Sequence, residues 1–477
     1  MNVLVWFKRD LRIHDHPALT LAAEIGAVLP VFVVEPDRWS QPDASARQWE
    51  FVAESLAGLR EDLAGIGAPL VVRVGDAVQV LAGLCRRHGI ARMTSHAEPG
   101  TAWSKARDLR VADWAKAAGV VWTELAEGGE GCCSPGQNSG RAAAAAPALP
   151  APMLRAVAGV EPGLIPSARS LRLSANPCPH RQLGGRARGV ELLEGFLTRR
   201  GESYATTGCA PLASERASSR LSPHLAHGTL SLREVAEATA ARQDEKPGGR
   251  WRGALARFQA SLAARQVAVA AWQPEAEESP AAIPGFHPGG SDATRLAALM
   301  TGETGLPFFD ACLRYLRATG WLDTRLRAML VAVGYGPLGV DATVVGAHLA
   351  RLFTDHDPAL HWPQVQVATV GASRLWNPVR LGRRLDPTGA FTRRWLPELA
   401  EVPEDALQEP WRWSGAQHLL GHRYPEPVID LSSAIRMAQA RARQSRNPAG
   451  VRQAPRGSAS ERACRRREHG AQLCLPF

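Results

Sequence analysis

Four short apolar runs, at positions 2–7, 27–34, 69–74 and 120–125, are rich in Val and are separated by stretches of helical period, notably 46–66 and 77–88. Strands alternating with helices predict a parallel, doubly wound α/β sheet. Beyond residue 189 the pattern changes. Apolar positions recur every three or four residues and no convincing strand follows, so an all-α part is expected. Helices are predicted over 190–199, from Leu232 onward, over 258–268 and over 431–443. In 308–316 the apolar positions 309, 312, 313 and 316 share one helical face, and Gly320 supplies a C-terminal stop. A second helix should then start near Trp321 and a third cover 346–353.

Composition divides the chain further. Residues 127–185 are rich in Gly, Ala and Pro, which is linker composition. The expected organisation is an α/β domain over 1–126, a linker over 127–186, a helical domain over 187–435 and a basic, disordered tail over 436–477. At 477 residues the chain is long enough for two or three domains with their own cores. Its formal charge of +10 sits mostly in the tail, where ten arginines face only Glu461 and Glu468, leaving +2 for the body. Such a tail would be drawn to DNA in a salt-sensitive way. The first apolar run is short and is cut off by Lys8-Arg9-Asp10, so neither a signal peptide nor a membrane span is expected and the cytoplasm is the predicted location. Eight scattered cysteines without CxxC spacing support neither a zinc site nor a disulfide framework, and no metal is expected.

Three stretches could carry chemistry. Ser218, Ser219, Arg220, Leu221 and Ser222 place hydroxyls and a cation at the mouth of a helix. Free N–H groups and the helix dipole favour a phosphate there, although a pair of ordinary N-caps has the same appearance. Arg325 and Arg327 cannot share a helix face and must serve different partners; an ion pair from Arg327 to an Asp after the third helix would simply pin a bundle. Gly334-Tyr335-Gly336-Pro337-Leu338-Gly339 satisfies GxGxxG, but it follows a helical run and reads as a turn between helices.

The motifs themselves resemble the DNA photolyase and cryptochrome family. The resemblance starts with Trp6-Phe7-Lys8-Arg9-Asp10-Leu11-Arg12 and His14-Asp15-His16-Pro17-Ala18-Leu19, which look like the opening of that family's antenna domain. It continues through Thr304-Gly305-Leu306-Pro307, Asp310-Ala311, Thr319-Gly320-Trp321, Arg325-Leu326-Arg327, Asp355-His356-Asp357 and Asn377-Pro378. Asp386-Pro387, Phe391, Arg394-Trp395-Leu396-Pro397-Glu398-Leu399 and Glu409-Pro410-Trp411-Arg412-Trp413 extend it, so that it covers most of the chain. The resemblance implies FAD in the helical domain and light-driven repair of pyrimidine dimers in DNA, with a second antenna chromophore of unspecified kind. It assigns Tyr204, Ser218, Ser219, Arg220, Leu221, Ser222, Arg265, Arg325, Arg327, Asp355 and Asp357 to the flavin pocket. For Arg9, Asp10 and Arg12 a structural role, tying the first loop to the sheet, is expected.

Some positions depart from the family. Ala264 stands where many photolyases have a Trp that packs against the dimer, Ser261 where they have a Glu, and His361 where an Asn often faces the flavin N5. Two relay tryptophans fall on Ala342 and Val365; Trp321, Trp362 and Trp376 could offer another electron path, and core packing is the alternative for all three. The leading reading is a dimer-repairing photolyase, and the alternative a cryptochrome-like photoreceptor or an FAD protein without repair activity. The last six residues, with Gln472, Leu473, Leu475 and Phe477, resemble the bacterial sliding-clamp-binding pattern QLxLxF, which would make a sliding clamp a partner.

Overall fold

The computed structural model describes residues 1–126, 147–208, 210–273, 292–370 and 376–446. The clamp-like peptide with Gln472, Leu473, Leu475 and Phe477 lies outside the described residues. The chain divides into two compact units, one within Met1–Thr206, Ala217–Glu275 and Ala350–Ala359, the other within Thr207–Arg216, Ala276–Leu349 and Leu360–Phe477.

In the first unit, five strands form one parallel sheet: β1 (Asn2–Phe7), β2 (Ala27–Val34), β3 (Val71–Val74), β4 (Ile90–His96) and β5 (Val121–Leu125), in the order β3-β2-β1-β4-β5. Both faces are covered, which is why the central strands read as continuous apolar runs. Val3, Val5 and Phe7 enter one core with Trp49, Leu56 and Leu59 of the Ala46–Gly65 helix. Leu4 and Trp6 enter the other with Leu81 and Leu84 of the Ala77–His88 helix. β4 was not among the predicted runs. Its Ala91 and Arg92 are exposed and its buried end is polar, Thr94-Ser95-His96, so no apolar signal marks it.

The described part of the expected linker has little regular structure, yet its main chain is satisfied along the sheet. Val28 N donates to Arg155 O (2.7 Å), Leu154 N to Ile66 O (2.7 Å) and Val72 N to Pro162 O (2.7 Å). The first unit continues with the helix Arg186–Gly195, a π turn over Phe196–Arg200, and the helices Leu232–Asp244 and Trp251–Ala271. The helix predicted over 190–199 thus starts earlier and widens before its end. Leu255, Phe258 and Leu262 of the last helix pack with Phe196 and Leu221 in one cluster.

Among the described residues no strand follows Leu125. In the second unit the helix Pro307–Thr319 ends as predicted, Gly320 adopting φ 68° while its N–H donates to Leu316 O (2.8 Å). The next helix starts at Thr324 rather than near Trp321, because Asp323 is its N-cap and accepts from Arg325 N (3.1 Å). The helix expected over 346–353 runs Ala342–Leu352. The GxGxxG stretch lies where the helix Thr324–Tyr335 gives way to the helix Ala342–Leu352, so it is an inter-helix turn. The last helix among the described residues runs Leu431–Arg446, past residue 436 where the disordered tail was expected to begin.

Candidate functional site

The loop of Ser218, Ser219, Arg220, Leu221 and Ser222 leads into the short helix Ser222–Ala226. Arg220 has φ 61°, a left-handed value that costs a non-glycine residue energy and is kept where surroundings over-determine it. Those surroundings are visible. Arg200 donates to Ser218 O (2.6 Å) and Ser219 O (3.3 Å), and Gln182 Nε2 donates to Arg220 O (2.6 Å). Ser218 Oγ and Ser222 Oγ are buried without a hydrogen-bond partner among the described residues. Buried hydroxyls ordinarily find partners, so two orphans in one five-residue loop fit a ligand that supplies acceptors, as a diphosphate does. Leu221 N donates to Ser219 Oγ (3.4 Å). Tyr204 packs edge-on against Phe196 and Phe258, at 5.6 and 5.8 Å between ring centroids.

Arg265 continues the buried stripe of the Trp251–Ala271 helix beyond Phe258 and Leu262. Its Nη2 lies 2.5 Å from Asp357 Oδ2, with both side chains buried. The other Asp357 oxygen accepts from Ala359 N (3.2 Å). Asp355 is buried in the same loop. Side chains from the N-terminal part hold this loop and the residues before it: Arg9 donates to His356 O (3.3 Å), Arg47 to Leu352 O (2.9 Å), Gln48 to Phe353 O (3.1 Å), and His356 Nε2 meets Asp43 Oδ2 (3.2 Å). Arg9 therefore does more than tie its own loop to the sheet, which corrects the expectation for it. Nothing in the sequence marks Arg47 or Gln48 for this task, since their acceptors are main-chain carbonyls some 300 residues away.

The remaining predicted residues lie in the second unit. Arg325 is exposed, while Arg327 is half-buried and donates through Nε to Leu322 O (2.7 Å). His361 is buried, and its Nε2–H donates to Gly346 O (2.9 Å). The His361 and Trp362 rings meet edge-on at 5.3 Å, and a Cβ at Gly346 would come 2.8 Å from the Trp362 ring, so Gly346 is what lets that ring approach. Trp321 is buried and Trp376 half-buried. Ala342 and Val365, which the resemblance matches to relay tryptophans, are buried aliphatic side chains with no redox chemistry.

Two further charged clusters stand at the carboxyl ends of the strands, where parallel sheets commonly bind ligands. Asp10, just past β1, takes Lys8 N on Oδ1 (2.8 Å) and His96 Nδ1 on Oδ2 (2.7 Å), with His16 Nε2 at ion-pair distance, 2.9 Å, from the same oxygen. Burial pushes the Asp10 carboxyl up, and the two imidazoles more than offset it and hold it well below the usual range. His16 Nδ1 accepts from Leu19 N (3.0 Å), so the ring proton belongs on Nε2, facing Asp10. A metal on Nε2 would need that proton on Nδ1, so this trio fits a hydrogen-bonded knot and does not fit a cation. In the second cluster Arg107 lies over Trp6 (4.9 Å) and pairs with Glu35 (3.1 Å), Glu98 (2.7 Å) and Asp108 (2.9 Å), while Lys8 pairs with Asp108 and Glu124. Burial, opposed by Arg107, raises Glu35 to about 7.

Comparison with known proteins identifies the family and the fold. Residues 3–128 match the family model described as DNA photolyase, and residues 251–444 the FAD binding domain of DNA photolyase. A deoxyribodipyrimidine photo-lyase of Streptomyces griseus is 31% identical over 90% of this chain and 97% of its own. A cryptochrome DASH of Natronomonas pharaonis is 28% identical over 91% and 98%. The crystal structure of a bacterial class III photolyase from Agrobacterium tumefaciens superposes with a TM-score of 0.79 at 23% identity, covering 94% of this chain and 98% of that one, which speaks for the fold. Among the described residues no helix is long and apolar enough to cross a membrane.

Proposed function

Because the chain belongs to the DNA photolyase and cryptochrome family and carries that family's FAD-binding domain, we propose that it repairs cyclobutane pyrimidine dimers in DNA under light. The observation that carries the cofactor part is the pair of orphaned hydroxyls, Ser218 Oγ and Ser222 Oγ, in the loop the resemblance assigns to the flavin diphosphate. When bound, reduced FAD supplies the light-driven electron that opens the dimer. The chain's own residues do the rest. Ser218 and Ser222 donate hydrogen bonds to phosphate oxygens. Arg265, its orientation fixed by Asp357, presents a permanent positive charge that favours an anionic reduced ring. Tyr204 stands against Phe196 and Phe258, beside the apolar cluster that includes Leu221 of the loop. The roles of Arg325, Arg327, Asp355, His361, Trp321 and Trp362 rest on the resemblance alone. The test is a defined oligonucleotide carrying one thymine dimer, incubated with reduced, FAD-loaded protein in light and in darkness. Light-dependent loss of the dimer is expected.

A second reading, a photoreceptor or FAD protein without repair activity, is favoured by one specific arrangement. Ser261 Oγ is turned back onto Phe258 O of its own helix (2.7 Å), and half-buried Ala264 lies one position before Arg265, so neither the carboxylate nor the stacking ring of many photolyases is present. Flavin photoreduction with no loss of dimer would favour this reading.

A further inference from the structure

The loop of Ser218 to Ser222 is gripped from behind by residues that no motif picks out. Three successive carbonyls are engaged by side chains: Ser218 O and Ser219 O by Arg200, and Arg220 O by Gln182. Arg200 also donates to Leu192 O (2.8 Å). Every acceptor in this set is a main-chain carbonyl, and among the described residues no carboxylate pairs with this half-buried guanidinium. Its neighbours are cations, Arg220 and Arg199, whose charge together with burial makes its protonated form less favourable. Arg200 is the last residue of the π turn Phe196–Arg200, a kind of widened turn often found at functional sites.

Two consequences follow for the loop. Tying back three carbonyls removes the ends of three peptide dipoles that would repel an anion. Left-handed Arg220 followed by right-handed Leu221 (φ −87°, ψ −7°) is the alternation that gathers successive N–H groups into an anion-binding concavity. The orphaned hydroxyls of Ser218 and Ser222 add donors to the same loop.

We propose that Arg200 is a positioning residue for a diphosphate-bearing cofactor, holding the carbonyls of Ser218 and Ser219 back and lending its uncompensated charge to the bound phosphates. The inference rests on the FAD reading above and adds a residue to it. The test compares wild-type protein with R200Q and R200K in equilibrium binding of FAD and of riboflavin, which has no phosphate, at low and high salt. R200Q is expected to weaken FAD by roughly 10- to 100-fold, the scale of a hydrogen bond to a charged group, and to flatten the salt dependence, with riboflavin affinity unchanged. R200K, which keeps the charge but not the fork, should retain the salt dependence and lose part of the affinity. Equal losses for FAD and riboflavin, or no loss for either, would overturn the proposal while leaving the FAD reading intact. Wild-type protein that takes up no FAD at all would overturn that reading and the proposal with it.

Discussion

Arg265 and Asp357 are 92 residues apart in the chain and form a buried ion pair of 2.5 Å between Nη2 and Oδ2. The first closes the buried stripe of one helix, and the second caps the start of another through Ala359 N. Removing one partner strands a charge in the interior, whereas removing both does not. R265A and D357A should therefore each cost roughly 3–5 kcal/mol, and the double variant clearly less than their sum. Urea unfolding of the four proteins measures this, and strict additivity would mean the pair is not coupled.

The hydroxyls of Ser218 and Ser222 have no partner to lose within the described residues. S218A and S222A should leave the melting temperature of cofactor-free protein almost unchanged while weakening FAD roughly three- to tenfold each, the net worth of one hydrogen bond. Thermal melts and FAD titrations on the same preparations separate the two effects. An unloaded variant that melts much earlier would show that the hydroxyl serves the fold.

What could be read from the sequence follows from what each signal depends on. β1 and β2 were legible because burial on both faces makes them apolar throughout, and Gly320 because only a left-handed stop suits that position. β4 was not, since its buried residues Thr94, Ser95 and His96 are polar and bonded to residues from elsewhere in the chain, as in Thr94 Oγ1 donating to Ala18 O (2.9 Å) and Ser95 Oγ accepting from Trp122 Nε1 (3.0 Å). Arg265 and Asp357 stood out in the sequence because their side chains match family motifs, and the structure pairs them. The sequence was silent where long side chains grip distant carbonyls, as Arg47, Gln48 and Arg200 do, because a carbonyl acceptor leaves no trace in residue identity.

Glu35 gives the α/β domain a pH dependence of definite sign. Its folded pKa of about 7 lies above the ordinary 4.5, so between those values the folded chain holds a proton that the unfolded chain has released. Stability contributed by this group is therefore full below pH 4.5 and falls as pH rises through 7, by roughly 1–3 kcal/mol. E35Q cannot lose the proton and keeps an oxygen for Arg107, so the stability of the wild type relative to E35Q should fall over that window, while Asp310 and the buried His16, His224 and His227, common to both proteins, cancel in the difference. Asp10 and Glu98, held below the usual carboxylate range, act at lower pH and in the opposite sense. Parallel pH profiles for the two proteins would exclude Glu35 as the source.

Ala264 offers the sharpest separation of repair from its alternative. It is half-buried on the Trp251–Ala271 helix, one position before Arg265, and its methyl group offers little stacking surface where many photolyases present an indole. An aromatic placed against one base contributes about 1–3 kcal/mol. In a protein that receives the dimer at this face, A264W should bind a thymine-dimer oligonucleotide roughly tenfold or more tighter, with undamaged DNA unaffected. Fluorescence anisotropy with matched damaged and undamaged strands reads this directly. An A264W protein that binds both strands as the wild type does would mean that this face of the helix does not receive the dimer, and the photoreceptor reading would gain accordingly.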